Sequence, residues 1–384
     1  MRKHRLFTPG PTPVPPESLL AMARPVDHHR LEEASEAIRE VSENLKHVFK
    51  TSNDVLILTS SGTGAMEAAV VNLLSPGDKA VTIRGGKFGE RWWEICEAYG
   101  VEAIPIDVEW GRAVDPEAVE RVLKGESGVK AVFATLCETS TGVLHDIRAL
   151  AEIVRGTEAV LVVDAISGLG ADELPMDEWG VDVVVAGSQK GLMTPPGLAF
   201  IALSEKAWRM VESSKLPKYY FDLKKAREAK GKGTTPFTPA ITLIIGLRES
   251  LRLIVEEGID NVVARHARLA RAMREAVEAM GLELFAERPA NAVTAIKVPE
   301  GIDGVELVKR LRSAHGVTFA GGQGRLKGKI VRVAHLGWMD ELDVVTAAAA
   351  LEMGLKEMGH PIEAGKGVAT AVRSLAKDAR GAVR

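Results

Sequence analysis

The stretch Leu161-Val162-Val163-Asp164-Ala165-Ile166-Ser167-Gly168 joins an apolar run to an acidic residue and a turn of small residues. A nearly continuous apolar run of this length is typical of a strand that helices cover on both faces. Seven such runs, rich in Val and Ile, occur in the first half of the chain: residues 55–58, 79–83, 101–106, 129–136, 159–164, 181–186 and 198–203. They predict an α/β fold with a large, doubly wound, mostly parallel seven-stranded sheet.

The helical patterns divide the chain further. Residues 64–74 and 115–124 are expected to form helices of the first domain, with Asp115 as the N-cap before Pro116. Beyond residue 240, two long helical stretches at 241–257 and 261–280 are separated by Gly258. A smaller α/β unit follows, with strand-like residues 282–285, 293–298, 317–319 and 330–333 and a final helix at 340–358.

These patterns predict four parts of the chain. They are an N-terminal segment near the functional site, a large domain, a linking helix with a small C-terminal domain, and a basic tail, at residues 1–20, 21–240, 241–360 and 361–384. The tail lacks a strong apolar face, so we expect it to be mobile or docked to a partner.

Composition restricts the class of protein. The 384 residues are 46% hydrophobic and carry a formal net charge of −3, which argues against a disordered chain and against nucleic acid as the main partner. No run of eighteen apolar residues occurs, and the N-terminus does not resemble a signal peptide or a membrane anchor. Two cysteines indicate a reducing compartment, so we expect a cytoplasmic enzyme of small metabolites. Only five Asn and two Gln occur, which suggests a thermophilic source.

A turn of small polar residues follows the first apolar run. Thr59-Ser60-Ser61-Gly62-Thr63-Gly64 precedes a helical segment, so its backbone amides and the helix dipole could bind a phosphate. An ordinary strand-to-helix turn has the same composition, and the segment alone does not separate the two interpretations.

Two further apolar runs end in residues that could react. Asp164 ends one run at the edge where open α/β sheets bind ligands, although a capping Asp would look the same. Lys190 follows the next run, and a lysine there could be a nucleophile or a surface residue. A phosphate site, a carboxylate and an amine are together the three contacts that pyridoxal phosphate requires.

Six ordered motifs then resemble the class V aminotransferases of fold-type I, the group of alanine–glyoxylate and serine–pyruvate aminotransferases. The resemblance begins at Thr8-Pro9-Gly10-Pro11-Thr12. The motifs are Ser61-Gly62-Thr63-Gly64, Phe88-Gly89-Glu90-Arg91, Glu138-Thr139-Ser140-Thr141-Gly142, Val163-Asp164-Ala165-Ile166-Ser167, Gly187-Ser188-Gln189-Lys190 and Arg332-Val333-Ala334-His335-Leu336-Gly337. The resemblance implies pyridoxal 5′-phosphate as cofactor and a homodimer with shared active sites.

The resemblance also implies roles for individual residues. Lys190 matches the lysine of the internal aldimine, and Asp164 matches the partner of the pyridinium nitrogen. Residues that match the phosphate site are Thr63, Gly64, Ala65, Gln189 and, from the neighbouring subunit, Thr235 and Thr238. Relatives often have Tyr at the position of Thr235.

The remaining matches concern the cofactor ring and the substrate. Phe88 corresponds to the aromatic residue stacked on the ring, often Trp in relatives, and Ile166 to the residue against the opposite face. Thr139 corresponds to a hydroxyl beside cofactor and substrate. Arg332 corresponds to the arginine that binds the substrate carboxylate, and Gly10 lies in the first motif, which we assign to the substrate side.

Three other features have both functional and structural interpretations. His335 could contact substrate or could be a hydrogen-bonded structural histidine. His28 and His29 could line the entrance, although local structure is the preferred interpretation. Glu138 and Arg91 could form a buried ion pair, and neither is assigned to chemistry.

The resemblance therefore implies transamination between alanine or serine and glyoxylate or pyruvate. Cysteine desulfurase, a rival on the same fold, needs a cysteine well after the catalytic lysine, and no Cys follows Cys137. Phosphoserine or aminophosphonate transamination would require further cationic residues around a second anion. A non-catalytic subunit that keeps the fold and docks through its basic tail is the alternative from another class.

Overall fold

A computed structural model describes residues 3–379. Its strands are β1 (Arg5–Leu6), β2 (Val55–Leu58), β3 (Lys79–Arg84), β4 (Glu102–Asp107), β5 (Val129–Thr135), β6 (Cys137–Glu138), β7 (Val143–Leu144), β8 (Val160–Asp164), β9 (Val183–Gly187), β10 (Ala199–Leu203), β11 (Val293–Lys297), β12 (Val317–Thr318), β13 (Ala320–Gly321) and β14 (Ile330–Ala334). Its helices are α1 (Pro16–Met22), α2 (Glu32–Phe49), α3 (Gly62–Leu73), α4 (Lys87–Ala98), α5 (Pro116–Gly125), α6 (Ile147–Arg155), α7 (Met176–Trp179), α8 (Glu205–Ser213), α9 (Leu223–Gly231), α10 (Ile241–Glu257), α11 (Ile259–Ala279), α12 (Gly304–His315), α13 (Glu341–Glu357) and α14 (Lys366–Ala379).

The large sheet confirms the predicted fold class. It has seven strands in the order β2-β10-β9-β8-β5-β3-β4, and each coincides with one of the seven apolar runs. All strands run in one direction except β10, which is antiparallel to both β2 and β9. The ends of β5, β8 and β9 therefore lie together at one edge of the sheet.

Packing on both faces explains why these strands are continuously apolar. In β8, Leu161 and Val163 belong to one buried cluster, whereas Val160 and Val162 belong to the cluster on the other face. Full burial of each such side chain stabilises the fold by about 1.5–3 kcal/mol. A polar residue at any of these positions would lose that contribution on one face or the other.

Predicted helix starts are close to those observed. Asp115 is the N-cap of α5, and its Oδ1 accepts a hydrogen bond from the Glu117 amide at 3.0 Å. A cap of this kind contributes about 1 kcal/mol. Helix α3 begins at Gly62, two residues before the predicted start. Ser61, which has extended backbone angles, is its N-cap.

The small C-terminal unit contains the antiparallel sheet β11-β14-β13. The expectation of a strand at residues 282–285 was wrong, because only an isolated bridge joins Leu284 to Ile296. Helix α12 was not predicted. It begins after Asp303, whose side chain accepts hydrogen bonds from the amides of Val305 and Glu306, an N-cap signal that the sequence does contain.

The segment expected as a mobile or docked tail is instead largely helical. Helix α14 packs against α11 and α13 with Ala371 and Leu375 buried. The buried carboxylate of Glu352 accepts hydrogen bonds from the amides of Gly365 and Gly367, both at 2.7 Å. Residues 380–384 of the expected tail lie outside the described part of the chain.

The N-terminal segment connects the two units. Strand β1 pairs in parallel with β12, and the Phe7 carbonyl accepts a hydrogen bond from the Ala334 amide. A few residues later, the Thr12 hydroxyl donates to the Lys190 carbonyl at 3.0 Å. The segment thus fixes the position of the small unit relative to the edge of the large sheet.

Candidate active site

Residues that end or follow the parallel strands β8 and β9 meet at the edge of the large sheet where these strands end. Asp164 is the last residue of β8, and Lys190 follows the end of β9 by three residues. Neighbouring parallel strands place their carboxyl ends side by side, which is where open α/β sheets bind ligands.

Lys190 is buried and held by oxygen atoms. Its Nζ donates to the Pro9 carbonyl at 2.6 Å and contacts the Ser167 hydroxyl at 3.2 Å. Gly10 lies against this side chain, and a Cβ at position 10 would overlap with it. Burial lowers the pKa of Lys190 to about 8. Part of the amine is therefore unprotonated near neutral pH and able to act as a nucleophile or base.

Asp164 is buried without an ion-pair partner among residues 3–379. Its Oδ1 accepts a hydrogen bond from the Ile166 amide at 2.8 Å. Burial raises the pKa of Asp164 to about 7, with the charges of Arg91 and Lys190 opposing the rise. Such a carboxyl favours a cationic or proton-donating ligand.

The raised pKa predicts how Asp164 affects stability. Between pH about 4 and 7 the Asp164 carboxyl keeps its proton in the folded chain. In the unfolded chain, where its pKa is 3.8, it loses that proton. In cofactor-free protein, the contribution of Asp164 to the free energy of unfolding should therefore fall as pH rises through this window. Urea denaturation of wild type and Asp164→Asn at several pH values measures it: the variant's relative stability should increase from pH 4 to 7. A difference independent of pH would contradict the assignment.

Hydroxyls join the lysine to the loop after β6. The Thr139 hydroxyl donates to Ser167 Oγ at 2.6 Å, and the same Ser167 oxygen contacts Lys190. Thr139 and Lys190 thus share Ser167 as a hydrogen-bond partner. Ser167 and the carbonyl of Pro9 were missed, although both lie within quoted motifs, because a motif match gives no contact between residues distant in sequence.

The turn expected to bind phosphate is the first turn of α3. Thr63 and Gly64 are its second and third residues, and the Gly64 amide is already bonded to the Ser61 carbonyl at 2.9 Å. Ala65 is the fourth residue, where amides enter the intrahelical pattern. Gln189 lies beside Lys190, and its buried Oε1 has no hydrogen-bond partner.

Ile166 and Phe88 come from different elements, the turn after β8 and the start of α4. The Ile166 side chain packs so closely on Gly62 that a Cβ there would overlap with it. Phe88 is in the first turn of α4, with its amide hydrogen-bonded to Glu138 at 3.1 Å and the guanidinium of Arg91 5.0 Å from its ring centroid.

Glu138 and Arg91 do not pair with each other. The Glu138 carboxylate accepts hydrogen bonds from the amides of Phe88, Gly89 and Ser140 and from the Ser140 hydroxyl. Arg91 Nη1 instead donates to the Thr63 hydroxyl at 3.1 Å. The ion-pair hypothesis was wrong because backbone amides satisfy the buried carboxylate first.

Arg332 reaches the site from β14. Its Nε and Nη2 donate to the Gly321 carbonyl at 3.1 and 2.8 Å, and its Nη1 donates to the Thr139 carbonyl at 2.7 Å. It is 5% exposed, and burial lowers its pKa to about 10, so it stays charged at neutral pH. The small unit thus supplies a cation to the edge of the large sheet.

His335 has the structural role rather than the substrate role. Its Nδ1 lies 2.6 Å from the Asn291 carbonyl, and its Nε2 lies 2.8 Å from the Thr294 hydroxyl. Burial lowers its pKa to about 3, so the ring is neutral and donates to Asn291 while accepting from Thr294. Asn291 is itself held by Asp172, which accepts its backbone N–H at 2.9 Å.

The other predicted positions lie apart from Lys190 or remain local. Thr235 and Thr238 line a small cavity beside the end of β2, and the Thr235 hydroxyl donates to the Phe237 carbonyl at 2.6 Å. His28 and His29 stack on each other, as the preferred local interpretation has it. Within residues 3–379, no cluster of three metal-ligating side chains occurs, and no helix is long and apolar enough to cross a membrane.

Comparison with known proteins decides the family. The profile of the family Aminotransferase class-V matches residues 7–331. The chain belongs to the class V aminotransferases. A serine–glyoxylate aminotransferase of Hyphomicrobium methylovorum is 39% identical, over 97% of this chain and 95% of the relative.

Two further similarities cover nearly the whole chain of this class V aminotransferase. A protein of Anabaena cylindrica named soluble hydrogenase 42 kDa subunit is 43% identical, over 97% of this chain and 98% of the relative. The crystal structure of ureidoglycine–glyoxylate aminotransferase from Bacillus subtilis superposes with a TM-score of 0.92 at 31% identity, covering 98% of this chain and 99% of that chain.

The cofactor of this class V aminotransferase is pyridoxal 5′-phosphate, and the residues present fit it. The pyridine nitrogen suits the buried carboxyl of Asp164, which has no ion-pair partner among residues 3–379. The aldehyde suits the Lys190 amine, and the phosphate suits the helix start at Gly62. One molecule of cofactor would thus use all three features of this site.

Proposed function

We propose that this class V aminotransferase transfers an amino group from alanine or serine to glyoxylate or pyruvate, with Lys190 as the covalent attachment point of the cofactor. The observation that carries the proposal is the convergence of Lys190, Asp164 and Arg332 at one edge of the sheet. Relatives named for glyoxylate support the choice of acceptor.

The hydrogen bonds of Arg332 suit a substrate carboxylate. A guanidinium has five N–H donors, and three of them are used by the carbonyls of Gly321 and Thr139. One N–H therefore remains on each of the two Nη atoms. A carboxylate needs two such donors for bidentate binding. The two carbonyls hold the guanidinium in place, so little side-chain entropy is lost when the substrate binds.

The chemistry divides between the cofactor and the chain. Bound pyridoxal phosphate supplies an electron sink for the electron pair left when the substrate loses its Cα proton. Nζ of Lys190 would accept that proton and release it again within the same turnover. Asp164 would hold a proton against the ring nitrogen, and the Ser167 hydroxyl and the Pro9 carbonyl orient Nζ. A lysine with a pKa of about 8 can both accept and release a proton near neutral pH.

The phosphate end of the proposed site uses two subunits. In one protomer, the residues that would line the phosphate are Thr63, Gly64, Ala65 and Gln189, and the Gly64 amide would exchange its hydrogen bond to the Ser61 carbonyl for one to the phosphate. Thr235 and Thr238 lie beside the end of β2 and would reach the phosphate of a second copy, so a homodimer is part of the proposal. Sedimentation of the holoenzyme should give twice the chain mass.

Arg332→Lys tests the carboxylate contact. The substitution keeps the charge but removes the bidentate geometry. Because two charge-assisted hydrogen bonds of about 1.5–3 kcal/mol each are affected, kcat/KM for every amino acid should fall by about 10²–10⁴-fold. Arg312→Lys, on the exposed side of α12, is the matched control and should leave kcat/KM unchanged. Equal kcat/KM for Arg332→Lys and wild type would exclude the role.

A panel of donors tests the substrates. Purified holoenzyme is supplied with glyoxylate or pyruvate and with alanine, serine, glycine, aspartate or phosphoserine, and the 2-oxo acid formed is measured. Alanine or serine should give the highest kcat/KM. Preference for aspartate or phosphoserine would overturn the small-donor assignment.

A second candidate function follows from one relative. The name of the Anabaena cylindrica protein favours a subunit of a hydrogenase that keeps this fold. The presence of Asp164, Lys190 and Arg332 favours catalysis by the chain itself. Absence of cofactor absorbance after addition of pyridoxal phosphate would favour the subunit role instead.

A further inference from the structure

Arg91 is a cation at the proposed cofactor site to which no role has been assigned. It lies on α4, one turn after Phe88, and is partly buried. Its guanidinium contacts the Thr63 hydroxyl and the face of the Phe88 ring. Among residues 3–379, no carboxylate forms an ion pair with it.

The nearby carboxylates are occupied by other groups. Glu138 is saturated by three backbone amides and the Ser140 hydroxyl. Asp164 accepts the Ile166 amide. An anion supplied by a ligand would therefore meet a guanidinium that has no ion-pair partner among residues 3–379.

The position of Arg91 identifies which part of a ligand it would meet. Its partner Thr63 is the second residue of α3, at the helix start where an anion is favoured. A hydroxyl that accepts a hydrogen bond from a guanidinium still has its own proton to donate. Arg91 therefore orients the Thr63 hydroxyl to donate toward an anion in front of the helix.

We propose that Arg91 binds the phosphate of the cofactor, directly through its free N–H groups and indirectly through the Thr63 hydroxyl. This inference rests on the proposed cofactor site. The guanidinium lies over the Phe88 ring, 5.0 Å from its centroid, while its Nη1 donates to Thr63 at the start of α3.

The Arg91 charge also acts on two other ionisable groups of the site, Asp164 and Lys190. It is one of the charges that lower the pKa of Asp164 and of Lys190, so it lies within electrostatic range of both. A bound phosphate dianion would offset the positive charge of Arg91. Cofactor binding would then change the pKa values of Asp164 and Lys190.

The test compares two ligands that differ only in the phosphate. Dissociation constants of pyridoxal phosphate and of pyridoxal are measured by fluorescence titration for cofactor-free wild type and Arg91→Met. Affinity for pyridoxal phosphate should fall roughly 10- to 100-fold in the variant, and affinity for pyridoxal should change less than about 2-fold. Equal losses for both ligands, or no loss for either, would overturn the proposal.

Two controls separate this role from folding and from the proposed function. Arg84→Met removes another arginine that stacks on α4, over Trp93, but whose guanidinium is paired with Asp107; it should change neither constant. Arg91→Lys, which keeps the charge, should bind pyridoxal phosphate more tightly than Arg91→Met, and equal binding by the two would contradict the charge argument.

Inorganic phosphate provides a second measurement. It should raise the unfolding temperature of cofactor-free wild type more than that of Arg91→Met, and equal shifts would count against the proposal. If wild type itself bound no pyridoxal phosphate, the cofactor site and this inference would both be wrong. Normal wild-type binding with no phosphate-specific loss in Arg91→Met would refute the inference alone.

Discussion

Lys190→Ala is expected to abolish transamination. Nζ of Lys190 lies between the Pro9 carbonyl and the Ser167 hydroxyl at the edge of the sheet, and it must both hold the cofactor and move the proton. We expect kcat to fall by at least about 10⁴-fold, since nucleophile and general base are lost together. The absorbance of lysine-bound cofactor should disappear, while non-covalent binding through the phosphate end should persist.

Lys130→Ala is the matched control for this experiment. Lys130 lies on β5 of the same sheet but is exposed. Its removal should leave both the turnover and the absorbance unchanged. Normal turnover by Lys190→Ala, with the variant folded as judged by circular dichroism, would show that another group carries the chemistry.

Asp164→Asn is expected to have the second largest effect. An amide cannot hold a proton on the pyridine nitrogen, so the cofactor loses most of its capacity to accept electrons. We expect kcat to fall on the order of 10³-fold, as for other losses of electrostatic stabilisation, while KM changes little. The lysine-bound absorbance should remain, because Lys190 is intact.

Stability separates this catalytic effect from damage to the fold. Burial holds the pKa of Asp164 at about 7, so its ionised form is disfavoured in the cofactor-free protein. Asp164→Asn should therefore be at least as stable as wild type at pH 7 without cofactor. A variant that lost activity only because it was unfolded would fail this comparison, and a variant with wild-type kcat would contradict the assigned role.

The sheet could be predicted because its pattern comes from burial on both faces. Strand β8 has no exposed position, so its run is apolar throughout and stands out in the sequence. Helix α14 could not be recognised in this way. Its buried face combines Leu375 with small residues such as Ala371 and Ser374, and its start depends on Glu352 of the preceding helix α13.

The same distinction applies to the active site. Asp164 and Lys190 are marked by their places at strand ends, a local property. The partner of Glu138 depended instead on which backbone amides the fold brings to it. Contacts such as Arg91 with Thr63 cross from one helix to another, and spacing along the chain contains no signal for them.

A single-turnover half-reaction tests the central claim most directly. Holoenzyme is mixed with excess serine or alanine and no 2-oxo acid, and cofactor absorbance and product are followed together. We expect one equivalent of pyridoxamine phosphate and one equivalent of 2-oxo acid per active site, with the original absorbance restored by glyoxylate. Product beyond one equivalent, or an unchanged spectrum with both donors, would contradict it.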